Sequence, residues 1–145
     1  MIKKTRILFI STHNAIRSQI AEGYLRFRYG DRFESYSAGT QPLPIHPMTI
    51  EVMNELGIDI SGQQSKEIFI FLDKNIDIAV LLSDKASYAC PTFPGATNTI
   101  HQEFFNISYH EERKSSFKKE ILLLRGEIIT WIDENITAGG LFYYI

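Results

Sequence analysis

Cysteine is nearly absent from this 145-residue sequence, and Cys90 is its single representative. One thiol excludes an internal disulfide and fits a reducing compartment, so a cytoplasmic location is expected. Positive charge is not in excess either. Fifteen Lys and Arg stand against seventeen Asp and Glu, for a formal net charge of −2, which leaves no basic footprint for nucleic acid. No apolar run approaches the roughly 20 residues of a membrane span, so no membrane partner is expected. The run after the basic start is Ile7-Leu8-Phe9-Ile10, and no small-residue cleavage site of a secretory signal follows it. Asn135-Ile136-Thr137 matches a glycosylation acceptor, but without an export signal it reads as chance. The histidines and the cysteine show no zinc spacing, so neither a metal nor a cofactor is expected. Internal repeats and low-complexity segments are also missing.

What is present suits one globular domain over residues 1–145: 44% hydrophobic and 22% charged residues, with enough chain for a real core. Arg6 to Ile10 reads as a buried strand, because its apolar residues are continuous. A helix follows from about Arg17 to Tyr29, with Ile16, Ile20, Tyr24 and Phe27 on one face and Gly30 as its stop. Phe33 to Ser37 is a second strand, closed by Ala38-Gly39. Pro47 suits a helix first turn, and Ile50, Met53 and Leu56 form an apolar stripe ending at Gly57. Ile76 to Leu82 is another buried strand. The turn-rich stretch 90–95 leads to a short strand near Thr97 to Ile100. A last helix spans roughly Ser116 to Asn135, its stripe being Phe117, Ile121, Leu124, Ile128 and Trp131, with Gly139-Gly140 as its end. The apolar tail 141–145 packs against the domain or a partner.

Strands alternating with helices imply an α/β fold with a parallel sheet and right-handed crossovers. Ligands of such sheets sit beyond the carboxyl ends of the strands. That places the functional weight on loops 11–17, 37–46 and 83–97. In the first, a tight turn into a helix start aims several backbone N–H groups at one spot, and the helix dipole adds positive character. Arg17 can fork onto two oxygens of a tetrahedral anion. Asn14 can hold the loop through side-chain bonds. Ser18 can cap the helix or donate toward Ser11. The competing reading is an ordinary turn with a solvated Arg17.

Ser11-x5-Arg17-Ser18, continued by Gln19-Ile20-Ala21-Glu22-Gly23, resembles the active-site loop and first helix of the low-molecular-weight protein tyrosine phosphatase superfamily. Among its members it is most similar to the thioredoxin-coupled arsenate reductases. Ser37-Ala38-Gly39-Thr40, His46-Pro47, Gly57-Ile58-Asp59-Ile60-Ser61, Gln64-Ser65-Lys66, Cys90-Pro91 with Phe93-Pro94-Gly95-Ala96-Thr97, and His101 with Phe104 extend the likeness in the right order. The resemblance implies a three-layer domain with a four-stranded parallel sheet of order 2-1-3-4. It implies an oxyanion site formed by Ser11, Thr12, His13, Asn14, Ala15, Ile16, Arg17 and Ser18. Asn14, Glu22, Ser37 and Lys66 would support the loop, with the Lys66 ammonium in place of a potassium ion bound by some members.

The family's chemistry needs groups that this sequence has changed. Its nucleophile is a cysteine whose thiolate is stabilised by the loop N–H groups and the arginine. That position is Ser11, and a hydroxyl is a poor nucleophile without an adjacent base. The second cysteine position is Ser83. The third remains as Cys90, the position from which thioredoxin removes the disulfide. The proton-transferring aspartate of an Asp-Pro pair aligns on Asn106, followed by Ile107, and loss of the proline with the acid fits natural divergence there. The catalytic set implied is therefore Ser11, Arg17, Ser83, Cys90 and Asn106. The expected partners are arsenate, phosphate or sulfate, and thioredoxin through Cys90. The expected function is that of an arsenate reductase that binds oxyanions and turns over nothing. A tyrosine phosphatase and a non-catalytic oxyanion-binding or regulatory module are the alternatives. His13 reads as loop-shaping, His46 as part of a turn and His101 as structural. Cys90 reads as an exposed thiol, with an inert buried one as the rival.

Overall fold

The structure is a computed structural model that describes residues 3–83, 92–108, 114–137 and 140–141, the last four of these by backbone alone. Strand β1 (Thr5–Ser11) is continuous in apolar residues because both of its faces are buried. Ile7 and Phe9 enter one core cluster, Leu8 and Ile10 the other, and all four are fully buried. On its two sides β1 pairs in parallel with β2 (Phe33–Gly39) and β3 (Ile76–Leu81), and β3 pairs in parallel with β4 (Ala96–His101). The sheet order is β2-β1-β3-β4, as the family resemblance implied. Register brings Ser11 opposite Gly39, Ile10 opposite Leu81 and Leu81 opposite His101. The carboxyl ends therefore lie level, and the connecting loops gather at one edge.

Helices α1 (Arg17–Tyr29), α2 (Pro47–Asn54) and α3 (Phe117–Asn135) pack on one another over the Ile7–Phe9 face. A 3-10 turn, Ile68–Phe71, and Phe93 cover the opposite face. The last described elements, β5 (Ile136–Thr137) and β6 (Gly140–Leu141), form an antiparallel hairpin after α3.

Several apolar stripes differ from expectation. Phe27 is 60% exposed, because the buried part of α1 ends at Leu25 and in the last turn it is Tyr29 that packs against the core. Leu56 is also exposed. The α2 helix ends first, and Gly57 at φ 76° reverses the chain in a Schellman turn, with Ile58 N–H donating to the Met53 carbonyl and Gly57 N–H to that of Asn54. Ile58 is thereby the residue that enters the core. In α3 the stripe closes on Ile132, while Trp131 is half-buried and meets the Phe104 ring edge-on at 6.1 Å. The α3 helix stops at Asn135, short of Gly139, and Gly140 belongs to β6. Cys90, the stretch 84–91 and the tail 142–145 lie outside the described residues. Among the described residues, no helix is long and apolar enough to cross a membrane.

Candidate functional site

Each carbonyl of the loop that joins β1 to α1, from Ser11 to Ile16, accepts a hydrogen bond. Ser11 O accepts from Thr40 N–H, Thr12 O from Gln41 N–H, and His13 O from Leu43 N–H and the Ser65 hydroxyl. Asn14 O accepts from Gln19 Nε2, Ala15 O from His46 N–H and the Thr49 hydroxyl, and Ile16 O from Ile20 N–H. With every carbonyl turned outward, the N–H groups face the interior of the loop. No described acceptor takes the N–H of Thr12, His13, Ala15 or Ile16. The α1 N-terminus carries no side-chain cap, so its orphan donors add to the same concavity. Ser18 does not act as a cap. Its hydroxyl lies 2.6 Å from Ser11 Oγ instead.

Asn14 fixes the turn. Its φ of 50° is left-handed, a conformation that asparagine tolerates better than most residues. Its Nδ2 donates to Ser18 Oγ and Ser37 Oγ, both at 2.8 Å, and its Oδ1 accepts from Lys66 N–H at 2.9 Å. Ser37 Oγ donates to Glu22 Oε1. The buried Glu22 carboxylate is neutralised by Arg26, and by Lys66 Nζ at 3.8 Å. Asn14, Glu22, Ser37 and Lys66 thus form one connected group behind the loop. Burial lowers the Lys66 pKa, with Glu22 opposing that shift and Arg26 adding to it.

Ser11 Oγ accepts from Asn14 N–H at 3.2 Å. Because Ser18 Oγ already accepts from Asn14, its own proton is available to Ser11 Oγ. Two donors therefore converge on position 11, an arrangement that lowers the proton affinity of whatever atom stands there. No described carboxylate or imidazole bonds Ser11 Oγ, so nothing in this set removes its proton.

Arg17 is buried at the helix start, where its Nη1 donates to the Phe104 carbonyl at 3.3 Å. Among the described residues that is its one hydrogen bond. Burial pulls its pKa down to about 10, and the Glu103 charge offsets part of this. A desolvated guanidinium with so few acceptors gains by the arrival of an anion. The cleft beside it is lined by Ser11, His13, Ala15, Ile16 and Arg17 on one side and Asn106, Ile107 and Leu124 on the other.

The remaining sequence candidates fall around this cleft. Ser83 is buried at the end of β3, with Oγ 3.3 Å from Thr12 Oγ1. His13 Nδ1 lies 2.8 Å from the Gln41 carbonyl, so that nitrogen carries the proton and the ring braces the loop. His46 caps α2, its Nδ1 accepting from Met48 N–H, and stacks on Phe117. His101 ends β4. Among the described residues, no three His, Cys, Asp or Glu side chains gather as a metal-binding group.

Other contributors were not singled out from the sequence. Gln19 Nε2 also donates to Gln64 O, and Gln63 Nε2 bonds Gln19 Oε1. Gly39 backs the loop so closely that a Cβ there would stand 2.8 Å from the Thr12 carbonyl oxygen and 3.0 Å from Asn14 N. The Ser-Ala-Gly-Thr run that holds Gly39 was the available signal. Ser65 and Phe104 lie in the motifs Gln64-Ser65-Lys66 and His101 with Phe104, whereas Thr49 offered no signal, because it is brought in by tertiary packing.

The sequence profile of low molecular weight phosphotyrosine protein phosphatases matches residues 6–119. An arsenate reductase from Shouchella clausii (strain KSM-K16) is 40% identical over 138 residues, covering 95% of this chain and 99% of its own. One from Bacillus cereus (strain 03BB102) is 38% identical over 104 residues, covering 72% and 78%. Among solved structures, a thioredoxin-dependent arsenate reductase from Corynebacterium glutamicum superposes with TM-score 0.66 at 29% identity, over 90% of this chain and 61% of that one. An arsenate reductase in the phosphate binding state superposes with TM-score 0.72 at 24% identity, over 90% and 95%, and supports the fold. By this profile and these relatives, the chain belongs to the low molecular weight phosphotyrosine protein phosphatase family.

Proposed function

We propose that this chain is an arsenate-reductase-type protein whose loop, residues 11–18, binds arsenate, phosphate or sulfate without turning them over. The carrying observation is the loop itself, with its carbonyls tied outward, its N–H groups facing inward and a buried Arg17 beside them. Relatives named arsenate reductases at 38–40% identity favour arsenate as the parental substrate.

The lack of turnover follows from electron counting. Reduction of arsenic(V) to arsenic(III) takes two electrons, which two thiols supply on forming a disulfide. This chain has one cysteine. Ser11 and Ser83 carry no thiol, and Asn106 at the cleft has no acidic proton to give a leaving group. Cys90 retains the exchange with thioredoxin in this reading. A thioredoxin that lacks its own resolving cysteine, activated beforehand as its mixed disulfide with thionitrobenzoate, is therefore expected to be attacked by the Cys90 thiolate, to release thionitrobenzoate and to remain attached as a one-to-one adduct, lost in Cys90→Ser. Lys66 supplies the positive charge that some members take from potassium, and the reducing setting is the cytoplasm.

Calorimetric titration with phosphate and arsenate tests the binding. Replacing Arg17 by Ala is expected to cost about 1.5–3 kcal/mol, the range of a hydrogen bond to a charged group, or about 10- to 150-fold in affinity. Equal affinity in the two proteins overturns the reading.

A further inference from the structure

The anion cleft has two sides of opposite character. On the loop side stand the N–H groups of Thr12, His13, Ala15 and Ile16 and the Arg17 guanidinium, all of them donors. On the other side stand Ile107 and Leu124, whose side chains offer neither donor nor acceptor. Both are buried, at 8% and 0% exposure, and both belong to the core cluster that also holds Ala15 and Ile16. This apolar wall is therefore part of the packed interior and cannot turn aside as a surface loop could. Asn106 is the one polar residue on that side of the cleft, and it is exposed to solvent.

A tetrahedral oxyanion has four substituents. Seated on the loop, it directs three oxygens at the N–H groups and Arg17, and its fourth substituent faces Ile107 and Leu124. In phosphate, arsenate or sulfate that substituent is an oxygen. Against the apolar wall it loses water and meets no donor from either side chain, which is unfavourable. A carbon in the same place has no hydrogen bonds to lose and gains by burial.

We infer that the cleft prefers a tetrahedral dianion bearing one short alkyl group, an alkylphosphonate, over the inorganic oxyanions. This preference rests on the reading of residues 11–18 as an oxyanion site and assigns that site its ligand class. The three phosphonate oxygens take the donors of the loop, and the alkyl group packs on Ile107 and Leu124. Binding involves no covalent step, in keeping with the serine at position 11.

Ethylphosphonate and hydroxymethylphosphonate are alike in size and differ by a methyl in place of a hydroxyl. Calorimetric titration with both, and with phosphate, is carried out above the second ionisation of every probe and below the Arg17 pKa of about 10, so that the charges are equal. Ethylphosphonate is expected to bind more tightly than phosphate, and more tightly than hydroxymethylphosphonate by about 5-fold or more, the lower end for a hydroxyl buried without a partner. Ile107→Thr puts a hydroxyl into the wall, and the ratio between the two phosphonates is expected to fall toward one. A general weakening of the loop would lower both affinities and leave that ratio unmoved. If Ile107→Thr does not fold, the order of the three ligands in the parent protein decides. Equal or reversed affinities in the parent overturn the inference, and so does a ratio unaltered by Ile107→Thr. If phosphate binds and ethylphosphonate does not, the alkyl preference falls while the oxyanion site stands. If none of the three binds, the oxyanion site falls and the preference with it.

Discussion

Asn14 Nδ2 lies 2.8 Å from Ser37 Oγ, and through that hydroxyl the anion loop is joined to the buried carboxylate of Glu22. A residue in the left-handed region also fills the hydrogen-bonding needs of two serines and one backbone N–H. Both duties fall on one side chain, and they can be separated by substitution.

Asn14→Ala loses the bonds and places a Cβ-bearing residue without local polar compensation at φ 50°. The expected loss is about 4–5 kcal/mol, from three side-chain hydrogen bonds near 1 kcal/mol each and a left-handed penalty of about 1–2 kcal/mol. Asn14→Gly loses the same bonds but relieves the backbone, and should recover about 1 kcal/mol of that loss. Urea unfolding of the three proteins measures both terms. Equal losses for Ala and Gly would show that the backbone makes no demand at this position.

Gly39→Ala tests the closeness of β2 to the loop. The added methyl meets the Thr12 carbonyl oxygen and Asn14 N, which are backbone atoms and cannot rotate away. An overpacking cost of about 1–3 kcal/mol is expected, together with weaker phosphate binding, because the atoms displaced belong to the loop itself. A variant of unchanged melting temperature and affinity would contradict the close packing.

Ser11→Cys places a thiol where the Asn14 N–H and the Ser18 hydroxyl converge. Its thiolate should form below the free cysteine value of about 8.5. Iodoacetamide labelling as a function of pH reads this, with Cys90→Ser as the background. An inflection at the free value would mean that the donors do not reach the sulfur. Slow hydrolysis of a small aryl phosphate should return, limited by the absence of an acid at Asn106. Arsenate reduction should not, because position 83 still lacks a thiol.

Lys66→Ala removes one of the two cations beside Glu22. The variant should lose stability, and potassium chloride should restore more of its melting temperature than an equal concentration of the larger tetramethylammonium ion. The parent protein should respond alike to both salts. A variant that responds to neither specifically would remove the charge-substitution role from Lys66.

The sequence was most legible where local pattern and burial agree. β1 could be read from Ile7-Leu8-Phe9-Ile10 because both of its faces are covered, and α1 because the loop pattern marks its start. Legibility failed at helix ends. Phe27 has the right spacing for the core, but spacing does not say where the sheet beneath a helix stops. Leu56 was assigned to a stripe that Gly57 hands to Ile58, since a reversal at positive φ changes which neighbour faces inward. Trp131 and Ile132 are adjacent, and the choice between them depends on Phe104, which is distant in sequence. Around the anion loop, Asn14, Arg17, Ser18, Ser37 and Lys66 were visible, whereas the hydroxyl of Thr49 and the amide of Gln63 reach the loop and its neighbour Gln19 only through tertiary packing.

The fastening of the loop by its carbonyls bears on which length changes the protein can tolerate. Surface connections ordinarily accept insertions and deletions. The 40–46 connection is different, because the backbone N–H groups of Thr40, Gln41, Leu43 and His46 go, in that order, to the carbonyls of Ser11, Thr12, His13 and Ala15. It works like a strip of buttons matched to a strip of buttonholes. One residue more or fewer would leave later pairs misaligned and turn some loop carbonyls inward, toward the anion. Variation in chain length should therefore be found elsewhere on the surface, and a homologue with an altered 40–46 length should have rebuilt its anion loop as well.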